Sequence, residues 1–339
     1  MKVGLLGKRS SGKTTLFEAL CGTNSSASAA SGLVNISKVR VKDENIGTLT
    51  SIFKPKKTTY AEFDLIDYNR AHDASDAVLG SPALIAKYRE LDALVLVAGV
   101  IDDKAKASNE LEDIILELNL SDMMILEAKI QRMKKAAYDK AELALYEKIL
   151  TKLESNEPMN YKDFTKDELR LLSCFQLFCI KPVIAAMNVT EDLMSSASEI
   201  KINRKGVSFL ALSAEIEKEL GSLGEAERQE FLKDLNLSGG ISDRFINTLY
   251  SCLDLISFYT VGEDEVRAWS ITRGDTALAA AGKIHSDIER GFIRASVVSF
   301  DDFMKHGDEK KAAAAGVVRS EGKEYIMQPG DIVHFKFNV

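Results

Sequence analysis

Eight consecutive residues, Gly7-Lys8-Arg9-Ser10-Ser11-Gly12-Lys13-Thr14, have the types and spacing of a phosphate-binding loop, G-x-x-x-x-G-K-T. They follow the apolar run Val3-Gly4-Leu5-Leu6 and lead into Thr15-Leu16-Phe17-Glu18-Ala19-Leu20. Strand, glycine-bounded loop and helix start are the context such a loop requires, because backbone N–H groups and a helix N-terminus must converge on a phosphate chain. Lys13 would reach the β- and γ-phosphates, and the Thr14 hydroxyl would ligate Mg²⁺. Residues Arg9 to Thr15 are therefore the expected nucleotide-binding stretch. The competing reading is a chance match in a Gly/Ser loop.

Further candidates sit where other apolar runs end. Thr59 to Ile66 reads as a strand ending at Asp67, placed for a second Mg²⁺-directed carboxylate. Pro182 to Met187 ends in Asn188-Val189-Thr190-Glu191, and Val207 to Leu212 ends in Ser213-Ala214-Glu215. In a parallel sheet, ligands bind at the carboxyl ends of the strands, so these stretches converge on one edge.

The composition narrows the function class. The chain has 339 residues, 45% hydrophobic and 28% charged, enough for two or three domains with real cores. Its net charge of −7 supplies no global basic field, so DNA binding is not expected and any RNA contact must be local. The four cysteines (Cys21, Cys174, Cys179, Cys252) lack paired metal-ligand spacing. No apolar run approaches the roughly 20 residues a membrane helix needs. A soluble, cytoplasmic protein is the expectation.

The elements that must position these residues alternate strand and helix. Val34 to Val41 alternates apolar and polar like a strand, Asp43 would cap a following helix, and Pro82 to Arg89 reads as another. Ala93 to Ala98 is continuous and apolar, a buried parallel strand. From Lys104 to Asn156 there is neither proline nor glycine, and Leu111, Ile114, Ile115, Leu118, Leu126, Ile130 and Met133 fall at helical spacings. This predicts a helical hairpin with a polar break near Asp139, followed by a short helix capped by Thr165 and Glu168. After Ile256 a β-rich region predicts strands at 257–260, 266–271, 293–300, 324–327 and 333–337 with two short helical pieces. The fold class is thus α/β: a doubly wound, mostly parallel sheet with an inserted helical hairpin and a β-rich C-terminal domain.

At this point the sequence resembles the YchF / Obg-like ATPase family of translation-factor-class P-loop NTPases. Val266-Arg267-Ala268-Trp269, the run Ala280 to Asp287, Gly291-Phe292-Ile293-Arg294-Ala295 and the ending His334 to Val339 are similar to that family's TGS domain. Lys54-Pro55-Lys56-Lys57, Lys181-Pro182-Val183 and Asn188 to Glu191 are similar to its nucleotide domain. The resemblance implies a split nucleotide domain (1–103 and 181–256), a helical coiled-coil insert (104–180) and a TGS domain (257–339). It implies ATP binding with Mg²⁺, slow hydrolysis, and a regulatory role at the ribosome or ribosomal RNA through the TGS and helical domains.

The base-reading residues carry a chemical argument of their own. GTPases of this class use N-K-x-D, whose Asp accepts two guanine N–H groups. Here Val189 holds the Lys position and Glu191, one methylene longer, the Asp position. A polar mismatch in a buried site costs about 1–3 kcal/mol, which disfavours guanine. Val189 would offer the base an apolar wall, with Ser213, Ala214 and Glu215 closing the other side. Two departures bear on turnover. Asp67-Tyr68-Asn69-Arg70 stands where the family has D-x-A-G, so Arg70 replaces the glycine that senses the γ-phosphate. Ser31 aligns with the family's Mg²⁺-binding switch threonine. Arg70 would either contact the γ-phosphate or block the switch, so a hydrolysis-deficient pseudo-NTPase scaffold and a GTP-specific member stand as alternatives.

Overall fold

The computed structural model describes residues 1–21, 34–68, 77–100, 104–135, 139–194, 206–234 and 240–338. Ser31 and Arg70 lie outside the described residues. The chain forms two compact units, one of Met1–Val39 and Asp64–Cys252, the other of Arg40–Phe63 and Leu253–Val339.

The first unit is built on strands β1 (Lys2–Leu6), β2 (Val34–Arg40), β4 (Glu62–Tyr68), β5 (Ala93–Val100), β6 (Val183–Val189) and β7 (Val207–Leu212), in the order β2-β4-β1-β5-β6-β7. β1 runs parallel to β4 and β5, β5 to β6, and β6 to β7. The near-continuous burial of β1, β5 and β6 follows from helices on both faces, which leave no position for alternation. Those helices are α1 (Lys13–Cys21), α3 (Pro82–Arg89), α7 (Glu191–Met194), α8 (Ala214–Ser222), α9 (Glu225–Asp234) and α10 (Ile241–Cys252).

The predicted hairpin is α4 (Lys104–Lys134) and α5 (Lys140–Glu154). Asp139 starts α5 by accepting from the N–H groups of Ala141 and Glu142, so the polar break in the sequence is a helix cap. α4 belongs to two cores. Its first half packs Leu111, Ile114, Ile115 and Leu118 against the sheet, and its second half packs Leu126, Ile130 and Met133 against Leu143, Tyr146, Ile149 and Leu153. The short helix α6 (Lys166–Leu172) begins with the reciprocal Thr165–Glu168 capping box that the spacing predicts.

The second unit holds β3 (Lys57–Thr59), β8 (Leu255–Thr260), β9 (Glu265–Thr272), β10 (Phe292–Ser299), β11 (Arg319–Glu321) and β12 (Asp331–Phe337), ordered β11-β10-β12-β8-β9-β3. Four short helices lie among the described residues after Ile256, where the sequence suggested two: α11 (Ala277–Ile284), α12 (Ser286–Arg290), α13 (Phe300–His306) and α14 (Glu309–Ala314). Residues 324–327 form no strand. Ile326 makes a single bridge to Thr276, and the strand at that edge is the polar Arg319–Glu321 on β10. The Tyr325 hydroxyl instead donates to Asp331 and accepts from Arg319, pinning the turn before β12.

Residues 40–63 belong to this second unit, although the strands on either side of them enter the first. Their helix α2 (Glu44–Phe53) is capped by Asp43, whose carboxylate also accepts from the Tyr259 hydroxyl at 2.7 Å. Phe53 stacks on Phe303, and β3 pairs in parallel with β9.

Candidate nucleotide site

The site lies at the carboxyl ends of the parallel strands. Register places Leu5 beside Asp67, and Gly99 beside Asn188, which in turn faces Leu212. β1 delivers the chain into the loop Gly7 to Gly12, and α1 begins at Lys13. Ser10 has a φ of 62° and Gly12 a φ of +86°, the left-handed backbone that lets successive N–H groups turn toward one point.

The loop is held tightly from beneath. A Cβ on Gly7 would meet the Val97 carbonyl oxygen at 2.2 Å, and one on Gly99 would stand 3.4 Å from Ser11 Cα. β5 therefore forms the floor on which the loop rests. Sequence reasoning missed Gly99 in this role; the available signal was a glycine just past a continuous apolar strand.

Asn188 ties three elements together. Its Nδ2 donates to the Ser11 carbonyl at 3.2 Å, and its Oδ1 accepts the Ala214 N–H at 2.9 Å. A Cβ on Gly12 would fall 1.9 Å from Asn188 Nδ2, so glycine there is a packing requirement as well as a conformational one. Ser213 caps α8, its hydroxyl accepting the Ile216 N–H. Glu191, at the start of α7, and Glu215, in the first turn of α8, are exposed, whereas Val189 is 3% exposed and joins the core of the sheet.

Charged and hydroxyl groups converge at the loop. Lys13 Nζ donates to the carbonyls of Gly7 and Lys8, each at 2.7 Å. The Thr14 hydroxyl donates to Asp67 Oδ2 at 3.0 Å, and Asp67 is 2% exposed. A hydroxyl and a buried carboxylate side by side are the hard oxygen donors that Mg²⁺ takes alongside phosphate oxygens and water. Ser11 Oγ is buried and has no hydrogen-bond partner among the described residues, an unmet donor on the loop's own rim. Arg9 and Ser10 are exposed at the loop's tip, and Thr15 lies in the first turn of α1. These features fit a phosphate chain with its metal.

Relatives match this chain over its whole length. The chain is 35% identical over 366 aligned positions to the "Ribosome-binding ATPase YchF" of Bacillus subtilis (strain 168), covering all of both. The chain belongs to the YchF family. It is 33% identical to the protein of the same name from Escherichia coli O157:H7, with 100% of this chain and 99% of that one covered. The YchF-GTPase_C family model, described as a protein of unknown function (DUF933), matches residues 255–338. The solved Schizosaccharomyces pombe YchF GTPase superposes with a TM-score of 0.84 at 27% identity, covering 99% of this chain and 97% of that one. The YchF family thus accounts for the α/β unit with its phosphate loop as well as the C-terminal region. Among the described residues, no helix is long and apolar enough to cross a membrane.

Proposed function

We propose that this chain binds ATP with Mg²⁺, hydrolyses it slowly, and acts as a regulatory switch on the ribosome or ribosomal RNA. The observation that carries this reading is the loop Gly7 to Thr14, buttressed by Asn188 and facing Asp67 across the Thr14 hydroxyl. Lys13 contacts the β- and γ-phosphates, Thr14 binds the metal, and Asp67 holds it in place. Asn188 orients loop and base pocket together, with Ser213 and Ala214 along its far side. Adenine preference rests on Val189 and Glu191 at the Lys and Asp positions of the guanine-reading motif. The curated relatives are named ribosome-binding ATPases and the solved relative a GTPase, so ribosome association enters by kinship. Residues 1–103 and 181–256 would form the split nucleotide domain, apart from residues 40–63, which fold with the C-terminal unit; 104–180 would form the helical insert and 257–339 the TGS domain, the last two offering the ribosome-facing surfaces of a cytoplasmic factor.

One sequence observation favours a second reading. Arg70 at the switch glycine removes the position at which a backbone amide meets the γ-phosphate, consistent with a chain that holds ATP without turning it over.

Titrating the purified protein with ATP, ADP, GTP and GDP in Mg²⁺ tests the binding claim: ATP is expected to bind at least about tenfold tighter than GTP, a difference of about 1.4 kcal/mol. A guanine preference would overturn the adenine assignment. Single-turnover hydrolysis tests the switch: the expected rate is low and rises in Arg70→Gly, whereas fast wild-type turnover refutes the blockade. Ribosome co-sedimentation that differs between ATP and ADP supports a switch, and indifference to nucleotide supports the scaffold.

A further inference from the structure

Two acidic side chains on α4, one helical turn apart, reach into the nucleotide site's supporting structure. Asp113 pairs with Lys8 of the phosphate loop at 3.1 Å. Glu117 accepts two successive backbone N–H groups, Val78 to Oε1 and Leu79 to Oε2, each at 3.1 Å. Val78 and Leu79 are 1% and 3% exposed and pack in the same core as Leu111, Ile114, Ile115 and Leu118 of α4. They lie between the strand that carries Asp67 and helix α3.

The Lys8–Asp113 pair is solvent-exposed and weak by itself, since such pairs contribute about 0–1 kcal/mol. The Glu117 clamp is stronger in kind. Both carboxylate oxygens are used, both bonds are charge-assisted, and the amides they satisfy sit in buried backbone. Together they fasten one helix to the phosphate loop at one turn and to the segment beyond the metal-side strand at the next. The same helix continues into the hairpin, where Leu126, Ile130 and Met133 pack in a separate core with α5. A helix of 31 residues spans about 46 Å, long enough to carry a small tilt at its root to the hairpin.

We propose that Asp113 and Glu117 are positioning residues that make the helical hairpin respond to nucleotide occupancy of the phosphate loop. This rests on the reading of the loop as a nucleotide site. A phosphate chain would draw on Lys8, the Asp113 tie brings that change to α4, and Glu117 fixes the next turn of α4 to the Val78–Leu79 backbone. Neither residue touches the reacting atoms; both act through the loop and through Val78 and Leu79.

Hydrogen exchange on the full chain, with and without saturating Mg²⁺-ATP and with binding measured in parallel, tests the proposal. In the wild type, ATP is expected to slow exchange in residues 126–133 and 143–153 by about fivefold, the order of an ordinary coupling between sites. In D113N/E117A, at ATP concentrations that saturate the measured Kd, that difference is expected to vanish. A residue that merely stabilised the fold would raise exchange in both states and leave the difference intact. E117Q, close in size to the native residue, keeps one acceptor and is expected to retain an intermediate response. An ATP-dependent difference unchanged in both variants overturns the proposal, as does a wild-type chain that binds ATP with no change in the hairpin. A chain that binds no nucleotide overturns this proposal and the functional reading together, which separates the two failures.

Discussion

At the scale of single residues, the loop's chemistry depends on positions without side chains. Gly12 combines a φ of +86° with a neighbour, Asn188 Nδ2, that would stand 1.9 Å from any Cβ. The left-handed conformation alone costs a non-glycine residue about 1–2 kcal/mol, and the clash must also push Asn188 off the Ser11 carbonyl. Gly12→Ala is therefore expected to weaken ATP binding by tenfold or more, about 1.4 kcal/mol, in a fluorescence titration. Wild-type affinity in this variant would show that Asn188 does not hold the loop. Gly47 provides the contrast: it is exposed in the interior of α2, and a Cβ there meets nothing within 4 Å. Gly47→Ala should stabilise by about 0.5–1 kcal/mol in chemical denaturation, because the unfolded chain loses freedom and the helix gains propensity.

At the scale of elements, the root of the hairpin is held by a buried ion pair. Arg89 at the end of α3 donates to Asp122 of α4 at 2.7 Å, and their side chains are 9% and 0% exposed. Arg89 also donates to Ser121 Oγ and the Gln176 carbonyl, and stacks over the Phe178 ring. Burial pushes the Asp122 carboxyl above its ordinary range, against the pull of Arg89 and the Cys179 N–H. Removing the cation leaves that carboxylate unpaired in the core, so Arg89→Ala is expected to cost about 3–5 kcal/mol. Replacing both partners, as Arg89→Met with Asp122→Leu, should recover most of it, since a buried pair offsets its own desolvation poorly. Denaturant unfolding of the three chains checks both statements, and a double variant as unstable as the single one would refute the account.

None of this pair was legible in the sequence, where charges on a helix read as a solvated face. The same limit explains the other misreadings. The phosphate loop, the Asp43 cap and the Thr165–Glu168 box were visible because each is local chemistry within a few residues, whereas the Asp139 cap showed only as a polar break. Gly99 under the loop, Glu117 on Val78 and Leu79, and β3 on β9 join segments tens to hundreds of positions apart, and no periodicity records such pairings. β3 has three residues, too short for alternation to show, so residues 40–63 read as part of the first nucleotide segment, whereas Lys56 to Thr59 bond to residues 263–267. The expected strand at 324–327 rests on the strand-favouring Tyr325 and Ile326, yet Tyr325 serves the polar turn around Asp331.

At the scale of the whole molecule, the two units carry separate cores. One core contains Ile256, Phe258, Val297 and Phe335, and the others are drawn from residues 6–232. Every residue assigned to the nucleotide lies in the first unit. A ligand stabilises the structure that binds it by RT ln(1 + [L]/Kd), about 2.7 kcal/mol at a hundredfold excess over Kd. For a unit of this size that corresponds to a rise in unfolding temperature of roughly 5–10 °C. Calorimetry with Mg²⁺-ATP is therefore expected to show the transition of the first unit moving upward while that of residues 40–63 and 253–338 stays in place. The Asp43–Tyr259 hydrogen bond identifies the second transition independently: Asp43→Ala removes both the α2 cap and that bond, and should lower only the ATP-insensitive transition, by about 1–2 kcal/mol. A single transition that moves with ATP and falls with Asp43→Ala would instead mean that the two cores unfold as one cooperative structure, so that nucleotide binding stabilises residues with no part in the phosphate loop.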